Sequence, residues 1–278
     1  MQNKLKIMTW NIRGGATLGW GTGQQEIKAG IVNNVIGQKA DIIVLTEFII
    51  TIGVDYILKQ LQEKYIWFQA SRTGKNGILI AINKELVDCN EKLKEQVWYD
   101  DIVSSQFEGC NILKVTLPLK CGKKLSIIGC RMETGINRIN NKNLKMQYDN
   151  ERTNFDKILI PMIRPLKKGQ LYIVCGDFNN ARCLGKLNEK FNSQNYNEKA
   201  HCNYNLNIIK DTFDDIGFTM VDITENGDAI MTHKKQKYTY PDDHIFVYGF
   251  RNIGSDTASS KGLSDHDILW AEVMAELD

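Results

Sequence analysis

Short apolar runs alternate along this chain with stretches of helical spacing, and the sharpest runs stop at an acid, an amide or an imidazole. Residues 5–10, 41–48, 77–83, 111–117, 124–131, 171–175, 219–223, 244–248 and 268–274 have the length and apolar density of strands. The turn Thr73-Gly74-Lys75-Asn76 leads into the third of them. Between the runs, 24–39 repeats apolar residues at Ile27, Ile31, Val35 and Ile36. Residues 55–64, 144–163 and 206–217 also read as helices, the second stopping before Pro165. Interleaving of this kind argues for an α/β fold and against an all-β one. Neither an internal repeat nor a linker interrupts it, so a single domain is expected over residues 1–278.

Composition narrows the setting. An apolar content of 42% and a charged content of 24% suit a globular chain. No apolar stretch is long enough to cross a bilayer, so no membrane partner is expected. The segment Met1-Gln2-Asn3-Lys4-Leu5-Lys6-Ile7 lacks the apolar region of a signal peptide, which leads us to expect a cytoplasmic protein. The seven cysteines are odd in number and form no Cys-x-x-Cys pair, which argues against a zinc ribbon and a full disulfide framework. Cys130 and Cys175 fall in apolar strand patterns and read as core residues. Glycines 14, 15, 19, 21 and 23 make a loop that no Gly-Lys-Ser/Thr follows, so it is not a P-loop. Between residues 114 and 145, eight basic residues face Glu133 alone: Lys114, Lys120, Lys123, Lys124, Arg131, Arg138, Lys142 and Lys145. Lys234, Lys235 and Lys237 form a second group. These are either patches that steer a polyanion or ordinary solvated surface. The polar stretch 185–205 reads as a long surface or substrate loop.

Four strand ends carry the chemistry. Thr9-Trp10-Asn11 closes the first apolar run and Leu45-Thr46-Glu47 the second. Val174-Cys175-Gly176-Asp177-Phe178-Asn179 and Leu263-Ser264-Asp265-His266-Asp267 place acids, amides and an imidazole at two more. Glu47 is the best single ligand for a hard cation, with the amide oxygen of Asn11 and the carboxylate of Asp265 beside it. His266, with an ordinary pKa near neutrality and acids on both sides, suits proton transfer.

Taken in this order, the four segments resemble the endonuclease/exonuclease/phosphatase superfamily, which includes DNase I-like and exonuclease III-like enzymes. The resemblance spans residues 9–267. It implies a four-layer α/β sandwich, two packed mixed β-sheets flanked by helices. It also implies phosphodiester hydrolysis by in-line attack of water, with Mg²⁺, or Mn²⁺ in its place, held by Asn11, Glu47 and Asp265. Asp243, in Pro241-Asp242-Asp243-His244-Ile245, becomes the carboxylate that orients His266; Asp242 takes the role if the register is off by one. Asp177 would position or deprotonate the water or assist the leaving group, and Asn179 would donate to the phosphoryl oxygens. Many superfamily members carry a histidine, and others a tyrosine, where this chain has Arg131. An arginine there cannot act as an acid, but it can clamp a phosphate. The following Met132-Glu133-Thr134 resembles an element of tyrosyl-DNA phosphodiesterase-like members. His201, His233 and His244 have no motif support and read as structural or surface residues. The implied substrate is nucleic acid, DNA or RNA. The alternatives are a small or lipid phosphoester and a catalytically silent binding protein of the same fold.

Overall fold

Two parallel strand pairs organise the molecule, one at the centre of each sheet. In the first, β1 (Lys4–Asn11) runs beside β2 (Ile42–Thr46), with α1 (Ala29–Gly37) in the crossover. In the second, β7 (Lys124–Arg131) runs beside β8 (Gln170–Asp177). A parallel pair needs a crossover long enough for a helix, which is why helical spacing separates these runs. The computed structural model describes residues 4–13, 29–50, 54–70, 77–88, 95–99, 111–132, 144–164, 166–180, 203–235 and 238–276. The Gly-rich loop, the turn at 73–76, residues 24–28, Arg138, Lys142, Lys237, His201, nearly all of the stretch 185–205, and Cys89, Cys110, Cys183 and Cys202 lie outside them.

Antiparallel strands complete both sheets. The first adds β3 (Tyr65–Ala70), β4 (Ile78–Asn83), β13 (Phe250–Ala258) and β14 (Ile268–Ala275), in the order β13-β14-β1-β2-β4-β3. The second adds β5 (Glu95–Tyr99), β6 (Asn111–Pro118), β9 (Thr219–Met220) and β12 (Asp243–Tyr248), in the order β5-β6-β7-β8-β12-β9. A separate hairpin pairs β10 (His233–Lys235) with β11 (Tyr238–Tyr240).

The central strands are apolar on both faces, and the two faces meet different partners. Ile7, Val44 and Ile80 point inward and meet Ile127, Ile173 and Ile245 of the opposite sheet. Their neighbours Met8, Ile43 and Leu45 point outward onto α1 and α2 (Val54–Leu61). On the far side, Ile128, Val174 and Phe246 meet Phe155, Leu159, Ile209 and Phe213. Helices, two sheets and helices therefore stack in four layers, the α/β sandwich that the sequence implied. The sheets pack closely at Gly129: a Cβ there would lie 2.8 Å from Ile78 and 2.9 Å from Val44.

The expected helix over 144–163 is present with an irregular middle. α3 (Leu144–Asn154) passes through a π turn, Phe155–Leu159, into α4 (Ile160–Ile163). Pro161 has no N–H for the Lys157 carbonyl, and the wider turn falls just before it. α5 (Leu206–Asp215) starts at Asn205, whose side chain accepts from the Ile208 N–H at 3.1 Å. Among the described helices none is long and apolar enough to cross a membrane.

Candidate active site

Strand register brings the polar strand ends together. Asn11 pairs with Thr46 at the ends of β1 and β2, so Glu47 is the next residue out. Arg131 pairs with Asp177 at the ends of β7 and β8, and Asp177 pairs with Asp243 at the start of β12. Ligands bind at the carboxyl ends of parallel strands in open α/β sheets, and these are such ends. The loop before β14 brings in His266. Trp10, fully buried, donates its indole N–H to the His266 carbonyl at 2.9 Å. Ser264 donates to the Asn11 carbonyl at 2.7 Å and accepts from the His266 N–H at 3.2 Å.

The centre of the site is a buried imidazole between carboxylates. His266 Nδ1 lies 2.7 Å from Asp243 Oδ2. The partner is therefore Asp243, while Asp242 lies 2.6 Å from Nδ1 of a different ring, His233. Asp177 accepts from Asn11 Nδ2 at 2.8 Å, from Asn179 Nδ2 at 3.1 Å and from the Asn179 N–H at 2.9 Å. Burial, and then the charge of Asp243, push Asp177 up to about 7, against the pull of His266 and Arg131. For His266 burial opposes the charged ring, but the charge and hydrogen bond of Asp243, with Asp177 and Asp242 behind them, outweigh it and raise the group to about 10. Cys175, buried beneath the site, has its thiol pushed up by burial and by Asp222 and Asp243, so it is inert core as expected.

Several expected residues take up partners of their own. Arg131 is 2% exposed, and its Nε and Nη2 both donate to Glu47 Oε1, at 3.1 and 3.0 Å. It thus holds a carboxylate where a phosphate clamp was expected. It is also no part of a surface basic patch. Asn179 spends both amide protons, on the Met132 carbonyl at 2.8 Å and on Asp177, and so has none left for a phosphoryl oxygen. Asp265 stands at the rim, 3.8 Å from Arg13 Nη1 and 3.8 Å from His233 Nε2. Of the second basic group, Lys234 is paired with Asp267 at 2.5 Å.

Among the described residues, the group whose ligand atoms lie within 4.8 Å of one another is Asp177, Asp243 and His266. Asp243 Oδ1 is buried with no hydrogen-bond partner, an atom that a cation or its water would satisfy. Two buried carboxylates side by side favour a cation between them, and the donor set is mainly oxygen, as hard divalent cations require. These residues fit a divalent metal. Of the expected ligands, Asn11 donates to Asp177 of this group, Glu47 is held by Arg131, and Asp265 stands at the rim.

His233 is the residue that sequence reasoning missed. Its ring stacks on that of His266, with centroids 4.3 Å apart and planes 7° from parallel. The one available signal was the Asp242-Asp243 pair: two adjacent acids serve two rings. His244 is structural as expected, fully buried between Asp222 at 2.8 Å and Asn180 at 2.9 Å.

No protein-family model matches the chain, and no curated protein matches it. Solved structures do. An endonuclease/exonuclease/phosphatase from Beutenbergia cavernae superposes with a TM-score of 0.68 at 14% identity, over 98% of this chain and 72% of that one. ANGEL2, a 2′,3′-cyclic phosphatase in complex with adenosine-2′,3′-vanadate, gives 0.66 at 14% identity, over 99% and 96%. D. rerio TDP2, complexed with a single-strand DNA product, gives 0.61 at 16% identity, over 97% and 98%. The chain has the DNase I-like fold of the endonuclease/exonuclease/phosphatase superfamily.

Proposed function

We propose that this protein is a divalent-cation-dependent phosphoesterase that hydrolyses phosphodiester bonds in nucleic acid, with Mg²⁺ as the cation. The observation that carries this reading is the buried Asp243–His266 pair at 2.7 Å beside Asp177. Asp177 and, through its unpartnered Oδ1, Asp243 would hold the cation. A bound hard cation supplies positive charge to the phosphoryl and leaving oxygens. His266 carries the proton chemistry. With Nδ1 donating to Asp243, its Nε2 gives a proton to the leaving oxygen as the oxygen of water bonds to phosphorus and the ester P–O bond breaks. That leaves the neutral imidazole, and the proton released by the water returns the ring to the imidazolium through solvent. Arg131 holds Glu47 at the edge of the site, and Asn11 and Asn179 fix the Asp177 carboxylate.

The likeness to ANGEL2 over nearly the full length of both chains favours a second reading, a small phosphoester such as a nucleoside 2′,3′-cyclic phosphate. Purified protein should be tested on supercoiled, duplex and single-stranded DNA, RNA, a nucleoside 2′,3′-cyclic phosphate and bis(p-nitrophenyl) phosphate, with EDTA and His266→Ala controls. Hydrolysis of at least one, abolished by both controls, is expected, and the substrate hydrolysed decides between the readings. Turnover indifferent to both controls, or none on any substrate, would overturn the proposal.

A further inference from the structure

His233 sits where a passive surface residue has no reason to be fixed so firmly. Four constraints hold it. Its Nδ1 lies 2.6 Å from Asp242 Oδ2, and its ring stacks on His266 at 4.3 Å. Its backbone bridges that of His266, and the ring of Tyr240 meets it edge-on at 6.4 Å. The hairpin that carries it is tied down on both sides: the Lys234 N–H donates to the Asp265 carbonyl at 2.7 Å, and the Asp267 N–H donates to the Thr232 carbonyl at 2.8 Å. Ordering a side chain this fully costs conformational entropy, and here the result is a nitrogen left over. His233 Nε2 makes no hydrogen bond among the described residues; Asp265 Oδ2 lies 3.8 Å from it. That direction leads to the rim, where Arg13 approaches the same oxygen at 3.8 Å. The Arg13 N–H in turn donates to Asn11, and Asn11 to Asp177. The free nitrogen of His233 therefore opens on the mouth of the site.

We infer that His233 is a substrate-contact residue, a second ring that, carrying protons on both nitrogens, donates from Nδ1 to Asp242 and from Nε2 to an oxygen of the phosphoester on which His266 acts. This rests on the phosphoesterase reading. Ring centroids 4.3 Å apart suit two contacts to different oxygens of one phosphate group, each about 2.8 Å from its nitrogen. Asp242 serves His233 as Asp243 serves His266: it fixes the ring plane and so sets the direction of Nε2. Adjacent residues at the start of β12, Asp242 just before it and Asp243 its first residue, thereby aim two rings together, which no single dyad does.

The test uses inorganic phosphate with the Mg²⁺-loaded protein, followed by NMR through the His266 ring, in wild type and in His233→Phe, His233→Asn and His233→Gln. Phenylalanine keeps the stack and loses the nitrogen. Asparagine places its amide near Nδ1 and glutamine near Nε2, so only glutamine restores the contact. The expected result is about tenfold weaker phosphate binding in the Phe and Asn variants, the size of one hydrogen bond to a charged group. The Gln variant should stay within about threefold of wild type. Unchanged affinity in the Phe variant would overturn the role of His233 and leave the phosphate site standing. A His266 ring in wild type that does not respond to phosphate would overturn the site itself, and the inference with it. On bis(p-nitrophenyl) phosphate the Phe variant should raise KM and lower kcat, whereas a purely structural role would lower Tm and leave both unchanged in the protein that remains folded.

Discussion

At the residue scale, the site concentrates conformations and charges that a chain otherwise avoids. Arg13, Glu47 and Asn179 all have positive φ, at 48°, 52° and 44°. For Glu47 this puts a residue with a Cβ in the left-handed region, where its pair with Arg131 helps to hold it. Both partners are largely buried, at 13% and 2% side-chain exposure, so removing one leaves an uncompensated charge. Arg131→Ala should therefore destabilise the fold by about 3–5 kcal/mol in urea denaturation. Adding Glu47→Gln should recover part of that loss; a double variant as weak as the single one would mean that packing, not charge, holds Arg131. The pH dependence follows from the raised groups. Folded His266 binds its proton more tightly than the ordinary value of 6.5 allows, so the stability it contributes is whole below pH 6.5 and is lost as pH rises through about 10. Asp177, raised from 3.8 to about 7, has the same sign at lower pH. In EDTA, Tm should fall from pH 6.5 to 10, and His266→Ala should lose that part of the slope; parallel curves would disprove the pairing. What could be read beforehand at this scale was the inventory of strand ends. The partner of Arg131 and the role of His233 could not be, because each depends on a contact between segments 84 and 33 residues apart.

At the scale of elements, the strands buried on both faces were legible and the edges were not. Runs such as Ile42–Thr46 and Gln170–Asp177 are buried along their whole length, so their apolar character shows in the sequence. β13, by contrast, is an edge strand whose residues are mostly exposed or half-buried, and Arg251, Asn252, Gly254, Ser255 and Asp256 give no period to detect. β3 is not among the strands expected from the sequence, and four of its six residues are only half-buried. The β10–β11 hairpin, too short to announce itself, is the element that carries His233. Asp177 depends on the geometry of β8 just before it. Gly176 has φ 144°, and a Cβ there would fall 1.9 Å from the Cys130 carbonyl oxygen of β7. Only glycine lets the two parallel strands approach at this point. Gly176→Ala should cost at least about 3 kcal/mol and displace Asp177 from Arg131 and Asp243. Gly129→Ala, which meets side-chain methyl groups of the buried Ile78 and Val44 and no backbone atom, should cost about 1–3 kcal/mol by overpacking. Chemical denaturation of the two variants checks the ranking, and equal losses would show that the backbone at Gly176 relaxes.

At the scale of the whole molecule, the site exists only because two sheets are packed together. Asn11 and the loop of His266 belong to the first sheet, and Asp177 and Asp243 to the second. The hydrogen bonds from Asn11 to Asp177 and between His266 and Asp243 cross from one to the other. In the unfolded chain these groups are separated by up to 255 positions, from Asn11 to His266, so a cation that needs Asp177 and Asp243 side by side has no comparable site there. Binding to the folded state alone stabilises it by an amount set by ligand concentration over Kd, about 2.7 kcal/mol at a hundredfold excess. For a chain of this size that corresponds to a Tm rise on the order of 5 °C. Mg²⁺ should produce such a rise and EDTA should reverse it, as read by differential scanning calorimetry. Asp243→Asn should abolish the increment, because it removes the charge behind the unpartnered Oδ1, while an exposed control such as Asp256→Asn should retain it. Loss of the Mg²⁺ response in Asp243→Asn with a single unfolding transition would mean that the cation is held where the ends of β8 and β12 pair, in the folded state alone. A full response in that variant would place the cation elsewhere and remove the basis for Asp177 and Asp243 as its holders.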